Sequence, residues 1–249
     1  MMFRFFYVVL FFFSVVPNLH AAKVDVKKML DHVDDLYRGK SSHGIMQMHV
    51  KAQHWERKLK IEFWSQGKEQ SLMRILEPKK EKGTATLKSG KNIWNYLPKI
   101  KRVIKIPSSM MGGSWMGSHF TNDDLVRESR MADDFQCSLS YSGKRKKRDV
   151  IEISCIPKEN AAVVWGKVLV RVEKKSWQPI EIEYYDEEIQ LNRVMTFGHF
   201  KMVKKRNIPT MITLQPIDKP EEKTIVSYDE MNFDIELPKD LFSLRNLQR

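Results

Sequence analysis

The chain has 249 residues, with 43 Lys and Arg against 31 Asp and Glu, a formal net charge of +12 and two cysteines. No Cys-x-x-Cys pair exists, which excludes a dithiol redox motif. A Gly-rich phosphate loop, G-x-S-x-G and H-E-x-x-H are all absent, so the common nucleotide, acyl-transfer and zinc-hydrolase chemistries lack their residues.

Residues 1–22 read "MMFRFFYVVLFFFSVVPNLHAA". Arg4 precedes an apolar run from Phe5 to Val16, then Pro17 and the small Ala21 and Ala22, the layout of a secretory signal peptide cleaved near Ala21 or Ala22. The run is shorter than the roughly 20 residues of a membrane-spanning helix. No cysteine follows it to accept a lipid anchor. Residues 23–249 are then expected as a single exported, soluble, periplasmic domain. In such a protein the positive charge points to anionic headgroups or an acidic partner before nucleic acid, with a generally solvated surface the plainer alternative; "GKRKKRD" at 143–149 reads first as a solvated hairpin tip and second as a contact for anionic membrane.

The segment "VDVKKMLDHVDDLYRGK" places Val26, Met29, Leu30, Val33 and Leu36 on one helical face, with Asp25 and Gly39 as caps. After Gly44 the pattern changes to period two. "RKLKIEFW" sets Leu59, Ile61 and Phe63 against Lys58, Lys60 and Glu62. "GKVLVRVEK" aligns Val168, Val170 and Val172, and "PIEIEYYD" aligns Ile180, Ile182 and Tyr184. Further strands are expected near 45–51, 70–76, 84–89, 91–97, 101–106, 191–197, 199–204, 208–215 and 223–232, separated by turn signals such as "SQGK" and "KSGK". Many short strands with one apolar face predict a curved antiparallel sheet with something packed on it. Cys137 and Cys155 are equidistant from the turn near Lys146. A hairpin would set them opposite one another, with Cys137, Leu139 and Tyr141 on the face of Ile151, Ile153 and Cys155; an oxidising compartment favours a disulfide there, with two buried thiols the alternative. His43, His49 and His54 cluster in sequence, but nothing nearby supplies a third metal ligand.

The segment "KIPSSMMGGSWMGSHFTNDDL", residues 105–125, mixes bulky apolar residues with glycine. Thr121 with Asp124 fits a capping box, so the loop is expected to enter a short helix. A Met, Trp and Phe loop beside a curved sheet suits acyl chains, while a hydrophobic plug without ligand is the plainer alternative. The expected cargo contacts are Met110, Met111, Trp115, Met116 and Phe120, with Trp94 and Tyr96 on the adjoining strand and Gly112, Gly113 and Gly117 as hinges.

"LYRGKSSHGIMQM", "EFWSQGKEQSLMRILEPKKEKGTATLK", "VVWGKVLVRV", "PIEIEYYDE", "LFSLRNLQR" and, most specifically, "IWNYLPKIKRVIKIPSSMMGGSWMGSHFTNDDLV" together resemble the outer-membrane lipoprotein-sorting protein family, of the LolA-like superfamily. The resemblance implies a mainly β fold: an incomplete, strongly curved antiparallel β-barrel whose concave face is covered by an N-terminal helix and a short lid helix. It implies a non-enzymatic periplasmic carrier of lipid or lipoprotein acyl chains, without cofactor or metal. An inner-membrane RND-type (MMPL-like) transporter is its expected partner, with transient membrane-surface contact. For the lid-latching arginine of the carrier, Arg74 and Arg102 are the candidates. The alternative function on the same fold is a sensor or interaction module that binds a membrane partner without transfer.

Overall fold

The computed structural model describes residues 25–127, 131–159, 161 and 163–249; the leader 1–22 lies outside them. No helix among the described residues is long and apolar enough to cross a membrane.

Helix α1 (Val26–Arg38) forms as its spacing predicts. The Asp25 carboxylate accepts from Lys28 N at 3.0 Å, and Gly39, at φ +59°, donates its N–H to Asp35 O. The first strand run is β1 (Ser41–Lys51), β2 (Glu56–Gln66), β3 (Gln70–Glu77), β4 (Ala85–Ser89), β5 (Asn92–Leu97) and β6 (Arg102–Lys105). The second is β7 (Phe135–Arg145), β8 (Arg148–Pro157), β9 (Lys167–Glu173), β10 (Pro179–Tyr185), β11 (Leu191–Val203), β12 (Arg206–Pro216) and β13 (Lys223–Phe233). All lie in one 13-stranded sheet, ordered β6-β5-β4-β3-β2-β1-β13-β12-β11-β10-β9-β8-β7.

That order has a consequence for function. Two antiparallel meanders meet where β1 pairs with β13, so β6 and β7 become the two free edges. Residues 106–134 run from one edge to the other. This strap holds α2 (Asn122–Arg127) and α3 (Met131–Asp134). The apolar segment picked out in the sequence is thus the connection that spans the open side of the sheet.

Alternation assigns the two faces. Met46, Met48, Val50, Leu59, Ile61, Phe63, Val168, Val170 and Val172 join Met29, Leu30 and Leu36 of α1 in the main core, on the inner face. Burying Met29 or Leu36 contributes about 1.5–3 kcal/mol each, which α1 needs because 13 residues alone make a marginal helix. On the outer face, Leu72, Ala85 and Leu87 form a second cluster with Trp64, Trp94 and Tyr96. The C-terminal segment covers it with Leu237, Leu241 and Leu247, ending in α4 (Leu244–Leu247).

Two bulges and one kink change the expected pattern. β11 is one strand, not two: its register against β12 is the same on both sides of His199, from Gly198↔Met211 to Phe200↔Pro209, with His199 itself at φ +53°. In β10 the register slips between Pro179 and Glu181, so Ile180 leaves the face of Ile182. In β7 it slips between Leu139 and Tyr141, setting Tyr141 opposite Glu152 and not on the Ile151 face. A one-residue slip moves a side chain to the other face. Cys137 and Cys155 stand opposite each other before that bulge and are joined by a disulfide.

Candidate ligand cavity

A cavity of about 140 Å³ lies between the C-terminal half of α1 and the inner face. Leu30, Val33, Phe63, Val170, Ile182 and Ile212 are among its apolar walls, so both meanders contribute. One end is polar. Ser42, Ser65 and Ser71 line it beside Asp34 and Arg38. Ser42 and Ser65 share a hydrogen bond at 2.6 Å, and Arg38 Nε donates to Asp34 Oδ1 at 2.7 Å. This rim sits where β1 begins and β2 ends. The volume is below the roughly 300–1,000 Å³ of a small-molecule site, so a long acyl chain needs a wider state than this one.

The strap closes the opposite end. Its side chains are folded inward: Trp115 is 4% exposed, Phe120 is buried, and the Trp115 indole N–H donates to Thr86 Oγ1 at 3.1 Å on β4. The predicted capping box forms reciprocally, Thr121 N to Asp124 Oδ2 at 2.6 Å and Asp124 N to Thr121 Oγ1 at 3.2 Å. Two of its three glycines are constrained. Gly113 N donates to Met110 O at 3.0 Å and Gly113 O accepts from Asn122, while Gly117 holds a left-handed φ of +66°.

Two arginines clasp the strap to the sheet. Arg193 of β11, with its side chain 3% exposed, donates to His119 O at 2.8 Å and Asp124 Oδ1 at 2.5 Å. Its guanidinium packs against both Trp165 and Tyr184, 4.3 and 4.4 Å from their ring centroids, while the two rings touch each other at 5.3 Å. Arg57 of β2 donates to Met116 O at 2.6 Å and is itself held by Glu81. His119 adds a third contact, bonding Thr224 Oγ1 at 2.8 Å and Glu222 Oε2 at 3.1 Å. The hydrogen bond from His119 holds the Glu222 carboxyl below the ordinary carboxylate value.

The structure divides the sequence-predicted contacts. Trp115 and Phe120 are in the core, Met116 packs against it, Met111 is half-buried, and Met110 points to solvent at 55% exposure. Trp94 and Tyr96 are on the outer face under the C-terminal segment, so the sheet separates them from the strap. None of the seven lines the cavity in this state. The arginine candidates also fall elsewhere: Arg74 donates to Asn246 O of α4, and Arg102 is exposed on β6. Burial pulls the Arg74 guanidinium below its ordinary value. Reading the sequence missed Arg57 and Arg193, whose strap partners are 59 to 74 residues away, and no local pattern marks them. It also missed the serine rim. The cavity walls Phe63, Val170 and Ile182, by contrast, lie on the alternating faces that were legible. His43 and His49 bond Glu62 and Glu56, and no group of three metal-ligating side chains occurs among the described residues.

A family model described as "Uncharacterized protein" matches residues 67–249. No curated protein matches. Among solved structures, a domain from Vibrio parahaemolyticus described as outer membrane lipoprotein-sorting superposes with a TM-score of 0.78 at 22% identity, over 89% of this chain and 97% of its own. A LolA superfamily protein from Nitrosomonas europaea gives 0.76 at 21%, over 89% and 99%. A DUF1329 family protein from Desulfovibrio piger gives 0.80 at 17%, over 88% and 96%. The chain belongs to the family that the matching model describes, and its open, curved sheet is the fold of the LolA-like superfamily.

Proposed function

We propose that the protein is an exported periplasmic carrier that hides acyl chains of a lipid or lipoprotein in the inner-face cavity and moves them between envelope membranes. The observation that carries this reading is the cavity itself: apolar walls from both meanders and α1, with serines and an Arg38–Asp34 pair at one end. An amphiphile fits such a polarity gradient, tail among the walls and head at the rim. Burial at about 25 cal/mol per Å² makes retention strong, so loading and release need a second state with a different affinity. Lifting the strap supplies that state and brings Met111 and Met116 onto the widened cavity. An inner-membrane RND-type exporter is the donor or acceptor to test first. A sensor that holds a membrane partner without transfer is the alternative on the same fold.

Native mass spectrometry of protein isolated without detergent from cells expressing the full chain tests the proposal. The expected result is a bound phospholipid or acylated peptide that Val33→Trp, or Ile212→Phe from the opposite wall, displaces while the thermal transition persists. A ligand-free mass, with no uptake from offered membranes, overturns the carrier reading.

A further inference from the structure

The strongest charge asymmetry in the molecule lies away from the strap. The turns β7–β8, β9–β10 and β11–β12 lie side by side at the end of the sheet that bears the serine rim. They read "KRKKRD" at 144–149, "EKK" at 173–175 and "KMVKKR" at 201–206, eleven cations against two acids. The opposite end of the same strands carries Asp186, Glu187, Glu188, Glu221 and Glu222. Arg206 is neutralised by Asp35 and Asp234, and Arg145 by Glu152. Lys146, Lys147, Arg148, Lys174, Lys175 and Lys205 are exposed and form no ion pair among the described residues.

These turns form one surface. Lys174 N donates to Asp149 O at 2.9 Å, joining the first turn to the second, and Gln178 Nε2 donates to Asn207 O at 2.8 Å, joining the second to the third. Lys147, Arg148, Lys175 and Phe200 line one open groove across it, together with Asp149 and Glu173. Alternation along β11 and the bulge at Ile180 set apolar groups on this side: Phe200 is 40% and Met202 66% exposed, and Ile180 lines the groove with Phe200. Lys146 at φ +45°, Lys147 at +70° and Lys204 at +54° occupy the left-handed region, where Gly or Asn would be relaxed, as Lys101 and Ile189 do at the other end of the sheet.

We propose that this end of the sheet is a docking surface for the anionic headgroups of a lipid bilayer, with Phe200 and Met202 as shallow apolar anchors. A bilayer is the occupant favoured by the geometry. The cations are spread over three turns around an open groove, which suits many distributed charges better than one small anion. Docking here also turns the serine rim of the cavity toward the membrane. The inference holds whether or not the cavity carries lipid.

The test is co-sedimentation of the protein, isolated from cells expressing the full chain, with two vesicle types: phosphatidylcholine alone, and phosphatidylcholine with about a quarter phosphatidylglycerol. Binding is expected only to the second, and is expected to fall steeply between about 0.1 M and 1 M salt, as the Debye length shrinks from about 10 to 3 Å. Lys146→Glu, Lys147→Glu, Lys174→Glu and Lys175→Glu combined should lower the partition at least tenfold. The same four changed to Arg should keep it, and Met202→Ser should lower it about threefold. Lys99→Glu with Lys101→Glu, at the other end of the sheet, should leave it unchanged. Equal binding to both vesicle types, no binding to either, or loss only with the Lys99 and Lys101 pair overturns the proposal. Lipid found by native mass spectrometry in a variant that no longer sediments would separate this surface from the carrier reading.

Discussion

The two ends of the sheet are built on opposite principles. At the strap end, charge is buried and paired: Arg193 meets Asp124, with both side chains under a tenth exposed, and Arg57 meets Glu81. At the turn end, Lys146, Lys147, Arg148, Lys174, Lys175 and Lys205 crowd together in water without ion-pair partners among the described residues, partly on strained backbone, while Arg145 and Arg206 are paired. Pairing buried charges fixes one arrangement, because either partner left alone is costly. Crowded surface cations give up a little stability and keep a field that reaches outward. One end therefore determines whether the molecule is shut, and the other what it approaches.

Removing the Arg193 guanidinium strikes that contrast hardest. Arg193→Ala leaves Asp124 buried without its cation and leaves a gap beside the touching rings of Trp165 and Tyr184. Breaking a buried pair from one side costs about 3–5 kcal/mol, which chemical denaturation would read directly. Vesicle binding should not change, because the turns are untouched. If Arg193→Ala costs under about 1 kcal/mol, the figure for a solvent-exposed pair, the strap is not held by this clasp.

The same contrast explains how far the sequence could be read. Local rules were enough for α1 and its caps, for most strands and for the Thr121–Asp124 capping box, since each depends on neighbours within a few residues. The Cys137–Cys155 pairing was legible from a turn centred on Lys146; the turn is centred between Lys146 and Lys147, and the bulge between Leu139 and Tyr141, on the turn side of the cysteines, makes up the one-residue difference. Alternation also showed that Trp94 and Tyr96 share a face. It could not say which face is inner, because the covering segment, 237–247, is over 130 residues away. The bulges that redirect Ile180 and Tyr141 have no glycine or proline at the bulged position to announce them. The clasp residues were hidden for the same reason: β2 and β11 meet the strap only once the sheet is complete.

A smaller effect, of opposite sign, is expected at the turn end. Lys146→Asn with Lys147→Gly would relax a turn whose two central residues both have positive φ. Relief of left-handed strain is worth about 1–2 kcal/mol per residue, so this variant should unfold later than the parent chain while binding anionic vesicles less well. Stability and binding moving together would mean that the turn is not a place where strain is tolerated for charge.

The smallest expected change is at the third strap contact. Glu222 titrates below its ordinary value of 4.5 because His119 donates to it in the folded state. Its folded pKa is lower than its unfolded one, so the pairing stabilises the fold above the ordinary carboxylate range. That contribution is lost as pH falls through the depressed value. Glu222 is polar and near solvent, so the effect should be far below that of Arg193→Ala and should fade in high salt. Protease nicking within 106–120 would detect it before any global transition does, since a strap loosened at one contact opens locally while the sheet stays folded. In Glu222→Gln, the acid-dependent part of that nicking should disappear. If it persists, another group controls strap opening in acid, and His119 merely positions the backbone through Thr224.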